Sequence, residues 1–587
     1  MCGIAGIMSV DGAPVAFGLL EKLGQALAHR GPDGQGHYRS GNLGMIQTRL
    51  AIIDLATGDQ PLHEPGGAAL VGNGEIYNYI ELRAELPGVA LSTESDCELP
   101  LHLYRRHGLD FTRHLRGMYA LAIHDPASGH LILSRDPFGI KPLYYIETAR
   151  CFAFASEPAA LVKAGLIGTE IARQARNELL QLQFTTGRDT IYHGIRRVLP
   201  GETLVIAEGR VVERRRLEIL PPGRAREMTA GDALPLLDGL LRESVLLHQR
   251  ADVPYGMFLS GGIDSTALLA MMTELNDRPV TTFTVGFAQA PSSDERPAAR
   301  IVAEALGAEH IEIDFGENDF WTLLPQVAAV VDDPVADYAI LPTYRLAEAA
   351  HARGLKVILS GEGGDELFAG YGRYRSVMRP WWAGGKTLRA RGNFDDLNVL
   401  RNDVTGWRDG ILAAEARAGD DGRSRLQIAQ AIDCADWLPN DLLTKLDRCL
   451  MAHGVEGRTP FLDAGVADFA FRLPDNLKIR DGLGKWLLRT WLDAKVPAAD
   501  ALARKKGFTV PVAEWLRRRG ATLGPLLARQ PSIREICLPD AVERLFAKLD
   551  GKREGFAAWT LLFYALWHRA HIAKLAPEGD VFETLSA

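Results

Sequence analysis

Pro254-Tyr255-Gly256-Met257-Phe258-Leu259-Ser260-Gly261-Gly262-Ile263-Asp264-Ser265-Thr266 reads as an apolar strand over 254–259, a glycine turn, and a helix over 266–275. Two glycines let the backbone approach a bound group closely, Ser260 and Ser265 add hydroxyl donors, and the helix N-terminus contributes partial positive charge. An anion suits such a turn. The chain contains no Gly-x-x-x-x-Gly-Lys-Ser/Thr run, which argues against a P-loop kinase or ATPase.

The alternation continues on both sides. Helices are predicted over 234–250 and 296–306, further helices before Arg353, and strands over 280–287, 310–315 and 357–359. Strands that alternate with helices predict a parallel sheet covered on both faces, with ligands at the carboxyl ends of the strands. A second loop of the same kind, Ser360-Gly361-Glu362-Gly363-Gly364-Asp365, follows the strand Val357–Leu359. From about Gly372 helical patterns dominate, ending in a run that carries Trp559, Phe563 and Trp567.

Upstream, apolar periodicity is lost between Pro221 and Gly231, the predicted linker. Before it, short apolar runs at 4–10, 44–53, 118–124, 131–134 and 143–146 alternate with turn clusters, and helices are predicted over 17–28 and 98–107. The expected domains are 2–215 and 232–587. A chain of 587 residues is too long for one ordinary core, and 47% hydrophobic content is enough to fill two or more.

A net charge of -8 leaves no basic footprint for nucleic acid, and no apolar run approaches a membrane span. Six cysteines lack Cys-x-x-Cys spacing and the density of a disulfide scaffold, so those beyond Cys2 are read as reduced. No basic stretch followed by an apolar segment opens the chain, and a cytoplasmic location is expected.

Met1-Cys2-Gly3-Ile4-Ala5-Gly6 places a cysteine where trimming of the initiator would make it the N-terminus. A free α-amine has an unperturbed pKa of about 8 and can serve as general base for the thiol of the same residue. Downstream come Arg30-Gly31-Pro32-Asp33, Arg49-Leu50-Ala51-Ile52-Ile53-Asp54, Asn73-Gly74-Glu75-Ile76-Tyr77-Asn78 and Ser95-Asp96, then Ser134-Arg135-Asp136-Pro137-Phe138-Gly139-Ile140-Lys141. Arg-Gly-Pro-Asp alone would be ordinary turn chemistry. In this order the segments resemble the class II glutamine amidotransferases and, in their extent, the glutamine-hydrolysing asparagine synthetases.

That resemblance implies an α/β protein: an N-terminal-nucleophile hydrolase with a four-layer αββα sandwich, joined to an ATP-pyrophosphatase-type parallel-sheet domain with a helical C-terminal extension. It implies Cys2 as the nucleophile on the glutamine amide, and Asn73 and Gly74 as the oxyanion hole. Arg49, Ile52, Asn73, Glu75 and Asp96 are the implied glutamine-binding residues; Arg49 offers a fork for the α-carboxylate, and Glu75 and Asp96 offer negative charge to the α-ammonium. For ATP it implies Leu259, Ser260, Gly261, Gly262, Asp264, Ser265, Val285, Ser360 and Gly361. Asp264 and Asp365 match magnesium ligands, Glu362 the glutamate of adenylate formation and its reaction with ammonia, and Lys485 the lysine that neutralises phosphate charge. The match extends through Gly454-Val455-Glu456-Gly457-Arg458-Thr459-Pro460-Phe461-Leu462-Asp463 and Lys505-Lys506-Gly507-Phe508.

Glutamine, aspartate and ATP are thus the implied small-molecule substrates, with Mg2+, without nucleic acid or membrane, and with a homodimer left open. Amidation of aspartate through an aspartyl-adenylate is the expected reaction. The runner-up is the same architecture acting on another carboxylate of secondary metabolism or surface-polysaccharide synthesis. A β-lactam synthetase-like cyclase fits less well, because such relatives lack the nucleophilic cysteine and carry tyrosine where this chain has Glu362. A non-catalytic sensor of glutamine or nucleotide is disfavoured by the presence of Cys2, Asp264 and Glu362. Two departures stand out: Gly457 in place of a more usual alanine, and Cys97 where threonine is common.

Overall fold

The computed structural model describes residues 2–287, 294–380, 382, 384–402, 404–419, 422–503 and 510–587. The Lys505-Lys506-Gly507-Phe508 segment lies outside the described residues.

In the N-terminal half two six-stranded antiparallel sheets stack face to face. Gly3–Ser9, at the centre of the first, pairs with Leu43–Arg49 on one side and Cys151–Ala155 on the other. Ala69–Ile76, in the second, pairs with Gly117–Asp125. Alternation along each strand sends Ile4, Met8 and Met45 of the first sheet against Val71, Ala120 and Leu133 of the second. The opposite faces carry Ala5 and Ile7 against Leu20 and Leu23 of the helix Phe17–Leu27, and Leu70 and Leu121 against Leu99 and Leu103 of the helix Leu99–His107. Four layers, αββα, result.

The strands at Ala69–Ile76 and Gly34–Ser40 were not among the predicted apolar runs. Gly72, Asn73, Gly74 and Glu75 break the hydrophobic signal of the first, and glycines and polar residues that of the second. The second sheet also includes Glu202–Ala207 and Arg210–Arg216, which lie beyond the last predicted apolar run at 143–146.

In the C-terminal half five parallel strands lie in the order Glu309–Asp314, Thr281–Gly286, Tyr255–Phe258, Val357–Leu359, Glu456–Arg458. Tyr255–Phe258 comes first in the chain yet lies in the middle. Connections leave it towards opposite edges, which opens a crevice between its carboxyl end and that of Val357–Leu359. Both glycine-rich loops start there.

The helix before this sheet begins earlier than predicted, at Ala230, because Thr229 and Asp232 form a capping box. The helical C-terminal part ends in Lys552–His571, whose Trp559 and Trp567 indoles donate to Ala336 O (2.6 Å) and Asp332 O (3.2 Å). Among the described residues no helix is long and apolar enough to cross a membrane.

Candidate active sites

The first site forms at the start of the chain. The main-chain nitrogen of Cys2, the atom that becomes the α-amine when Met1 is removed, donates to Asn73 Oδ1 at 3.1 Å. Asn73 is fully buried and its Nδ2 has no hydrogen-bond partner among the described residues. An orphaned buried amide donor beside Cys2 is a group waiting for an acceptor. Gly74 cannot be replaced without backbone movement, since a Cβ there would come within 2.1 Å of Met118 O. Burial pushes the Cys2 thiol up, against the amino terminus and the Leu50 N–H, which pull it down.

Arg30 anchors this arrangement. Its Nε donates to Cys2 O (3.2 Å), Nη1 to Glu157 Oε1 (2.7 Å) and Asp447 Oδ2 (2.8 Å), and Nη2 to Asp447 Oδ1 (2.9 Å). The motif that reads as a weak turn signal therefore supplies a buried guanidinium joining the Cys2 carbonyl to the C-terminal half.

Arg49, Ile52, Asn73, Glu75 and Asp96 are all buried. Arg49 is held by Asp59 Oδ1 (2.7 Å), the Ile53 carbonyl (3.4 Å) and the Asp54 carbonyl. Asp96 accepts the Ile76 N–H at 2.6 Å, and burial lifts its carboxyl to about 6. Burial, with Glu456 and Asp96 nearby, pushes the Glu75 carboxyl well above its ordinary range; Arg458 Nη2 lies 3.3 Å from its Oε2 and opposes the shift.

The second site is a cavity of about 1110 Å³ at the crevice of the parallel sheet. Leu259, Ser260, Gly262, Asp264, Ser265 and Val285 border it from the strand ends and first loop; Ser360, Gly361, Glu362 and Asp365 do so from the second. Gly261 does not line it. With φ +66 it makes the turn, and a Cβ there would come 2.7 Å from Ala299 N. Ser260 Oγ and Ser265 Oγ lie 3.0 Å apart, and the Gly262 N–H donates to Ser260 Oγ at 3.2 Å, so the loop is held open by its own hydroxyls. The helix Ile263–Leu275 has no side-chain cap and points its N-terminus into the cavity.

Lys485, buried at the start of the helix Trp486–Lys495, reaches Asp365 Oδ1 at 2.6 Å and also pairs with Asp264. Burial opposes its charge, yet the two carboxylates hold its ammonium above the ordinary lysine range. Two carboxylates that reach one ammonium are close enough to share one divalent cation. Among the described residues no group of three or more His, Cys, Asp or Glu could hold a metal ion. A two-carboxylate site suits magnesium, which keeps waters and takes phosphate oxygens as its other ligands.

Comparison with known proteins follows this division. The glutamine amidotransferase domain family matches residues 1–216, and the asparagine synthase family matches residues 236–569. Asparagine synthetase [glutamine-hydrolyzing] 1 of Bacillus subtilis is 32% identical over 98% of this chain and 97% of its own. The chain belongs to the asparagine synthase family. The chain is also similar to amidase chry2 of Gibberella zeae, 29% identical over 82% of this chain and 84% of its own, and to amidase chyE of Penicillium rubens, 32% identical over 77% and 78%.

Of the two departures from the asparagine synthase pattern, Gly457 has a local account. A Cβ on Gly457 would meet Leu446 at 3.1 Å and Leu450 at 3.2 Å, so the close packing of the helix Leu443–Met451 favours glycine there. Cys97 is buried with Sγ 3.7 Å from Gly74 O.

The motif readings assigned no role to Arg458, which touches both halves. Its carbonyl accepts the Ser360 N–H (2.8 Å), its Nε donates to Glu456 Oε1 (2.7 Å), and its Nη1 donates to His248 O (2.8 Å) and Arg250 O (2.7 Å). A signal existed in Val455-Glu456-Gly457-Arg458, where two opposite charges alternate within a buried stretch. Trp437, Asp441 and Lys445 also border the cavity and were likewise unassigned.

Proposed function

We propose that this chain hydrolyses glutamine at Cys2 and uses the ammonia to convert L-aspartate to L-asparagine through an aspartyl-adenylate, releasing glutamate, AMP and pyrophosphate. The observation that carries the reading is the convergence of Ser260, Asp264, Ser265, Glu362 and Asp365 on one cavity at the switch point of the sheet, with Lys485 behind them.

In the first half-reaction the Cys2 thiol gives its proton to the α-amine and attacks the amide carbon. The developing oxyanion is received by Asn73 Nδ2 and the Gly74 N–H. Collapse to the thioester expels ammonia as the leaving nitrogen takes the proton back from the α-ammonium, and water then cleaves the thioester to glutamate and restores the Cys2 thiol. In the second, a carboxylate oxygen of the acceptor attacks the α-phosphorus of ATP and pyrophosphate leaves. The Ser260–Ser265 loop and the adjoining helix N-terminus cradle the phosphates, and Lys485 balances their charge. Asp264 and Asp365 would hold magnesium, which supplies charge neutralisation of the pyrophosphate. Ammonia attacks the acyl carbon, Glu362 accepts the proton it sheds, and AMP departs.

Passage of ammonia through the interior is supported by the burial of Arg30, Lys141, Glu456 and Arg458 between the two halves, each no more than 1% exposed. A dry route keeps ammonia unprotonated.

The fungal relatives named amidases support keeping a second acceptor carboxylate in view. The experiment that tests the proposal follows nucleotide products with glutamine, ATP and an acceptor panel. AMP and pyrophosphate formed one to one, with aspartate the best acceptor, is the expected result. ADP and phosphate would overturn the role of the Ser260–Ser265 loop; a different best acceptor would favour the runner-up.

Asp96 gives a pH signature. Its carboxylate is proposed to hold the glutamine ammonium, and its pKa is about 6. Above pH 6 it is ionised; below, the proton competes with the ligand. KM for glutamine should therefore rise on acidification through pH 6, by about tenfold per unit at most. In Asp96→Asn, KM should be high at every pH. A glutamine KM that stays level from pH 7 to pH 5 in the parent would remove this role from Asp96.

A further inference from the structure

One wall of the synthetase cavity carries groups the chemistry above leaves unused. Trp437, Asp441 and Lys445 recur every four residues along the π-helical stretch Asp433–Leu442 and the helix Leu443–Met451, and all three border the cavity. A wide helical turn of this kind is uncommon and concentrates at functional sites. Asp441 is fully buried, and neither of its carboxylate oxygens has a hydrogen-bond partner among the described residues. Trp437 Nε1, buried as well, has none either.

Three cations lie nearby, and Arg389, which stacks on the Trp437 ring and acts on Asp441, makes among the described residues only a long ion pair, Nη2 to Asp433 Oδ1 at 3.5 Å. Lys445 Nζ donates to Asp337 Oδ2 at 2.6 Å, and Arg373 donates to Asp433 Oδ2 from Nε (3.0 Å) and Nη2 (2.9 Å). Lys445 also lies close enough to Glu362 for the glutamate's charge to stabilise its ammonium. The wall thus runs from the reacting end of the cavity, marked by Glu362, to an unused acceptor pair and an unused donor. A buried carboxylate without partners is costly, and such groups are retained where something completes them.

We propose that Asp441 and Trp437 form the head-group subsite for an α-amino-acid acceptor: the ammonium of the acceptor binds the Asp441 carboxylate, and its α-carboxylate accepts from Trp437 Nε1. The side-chain carboxylate is then directed along Lys445 towards Glu362 and the phosphate loop. This subsite rests on the proposed adenylating function and narrows its acceptor from any carboxylic acid to one that bears a free amine. Specificity follows from complementary charge, because an acceptor without the amine leaves Asp441 buried and unpaired.

The test uses the full chain, ATP and ammonium, and measures pyrophosphate release with aspartate and with succinate, which is aspartate without its amine. The parent should prefer aspartate by about 10²-fold or more. Asp441→Asn should raise the aspartate KM about 10- to 100-fold and narrow the aspartate-to-succinate ratio, while KM for ATP stays near the parental value. Trp437→Phe, which removes only the N–H donor, should raise the aspartate KM about tenfold. Glutamine hydrolysis by the same preparations reports whether they are folded. If Asp441→Asn is misfolded, Trp437→Phe decides, and a parental aspartate KM in that variant overturns the subsite. A folded Asp441→Asn that keeps the parental preference, or that loses kcat equally for both acceptors at unchanged KM, also overturns it. Failure of the parent to release pyrophosphate with any acceptor would instead sink the adenylating function on which the subsite rests.

Discussion

Replacing Cys2 by alanine is expected to lower glutamine hydrolysis by about 10⁴-fold or more, because the nucleophile is lost and no neighbouring group can take its place. Cys97 lies close enough to feel the charge of Cys2, but its thiol is buried against Gly74 O and pushed far up by burial, so it stays protonated. The synthetase half needs ammonia from any source. With ammonium at high concentration, and a pH that yields free ammonia, Cys2→Ala should still form product from ATP and aspartate. The pairing of the two assays matters, since Arg30 ties the Cys2 carbonyl to Asp447 across the interface and a misfolded variant would lose both activities. Glutamine hydrolysis at the parental rate in Cys2→Ala would refute the N-terminal-nucleophile mechanism.

The second large effect is expected at Glu362. The carboxylate borders the cavity and accepts the Ser360 hydroxyl, so it is held at the mouth of the second loop. Glu362→Gln keeps the size and the hydrogen bond but cannot accept a proton. A loss of about 10²- to 10⁴-fold in acceptor-dependent pyrophosphate release is expected, with glutamine hydrolysis persisting, because Cys2 and Glu362 lie on different domains. Measuring both activities on one preparation separates chemistry from folding. Equal loss of the two in folded protein would count against the division of labour between the domains.

The relation between Arg458 and the two loops bears on how these activities communicate. Its carbonyl is part of the strand pairing that sets Ser360, and its guanidinium reaches Glu75, next to the proposed oxyanion-hole pair Asn73 and Gly74. A buried ion pair of this kind is poor evidence for stability, since desolvation offsets much of its attraction.

Much of the architecture was legible in the residue order. The strand–glycine–helix reading of 254–275 located the parallel sheet, and alternation after it located every strand of that sheet except Glu456–Arg458, which is three residues long and interrupted by charge. The same interruption hid Ala69–Ile76, because a strand that delivers polar groups to a site does not look apolar. Local sequence thus determined the type of the apolar elements, the two glycine-rich loops, and the residue kinds fit for each chemistry. Only the tertiary structure decided which of them meet. It set Arg30 against Asp447, 417 positions apart in the chain, placed Lys485 between Asp264 and Asp365, and left the Asp441 carboxylate and Trp437 Nε1 without hydrogen-bond partners among the described residues at the cavity wall. These pairings depend on long-range packing and on water exclusion at a closed interface, and neither is encoded in the spacing of residues along one segment.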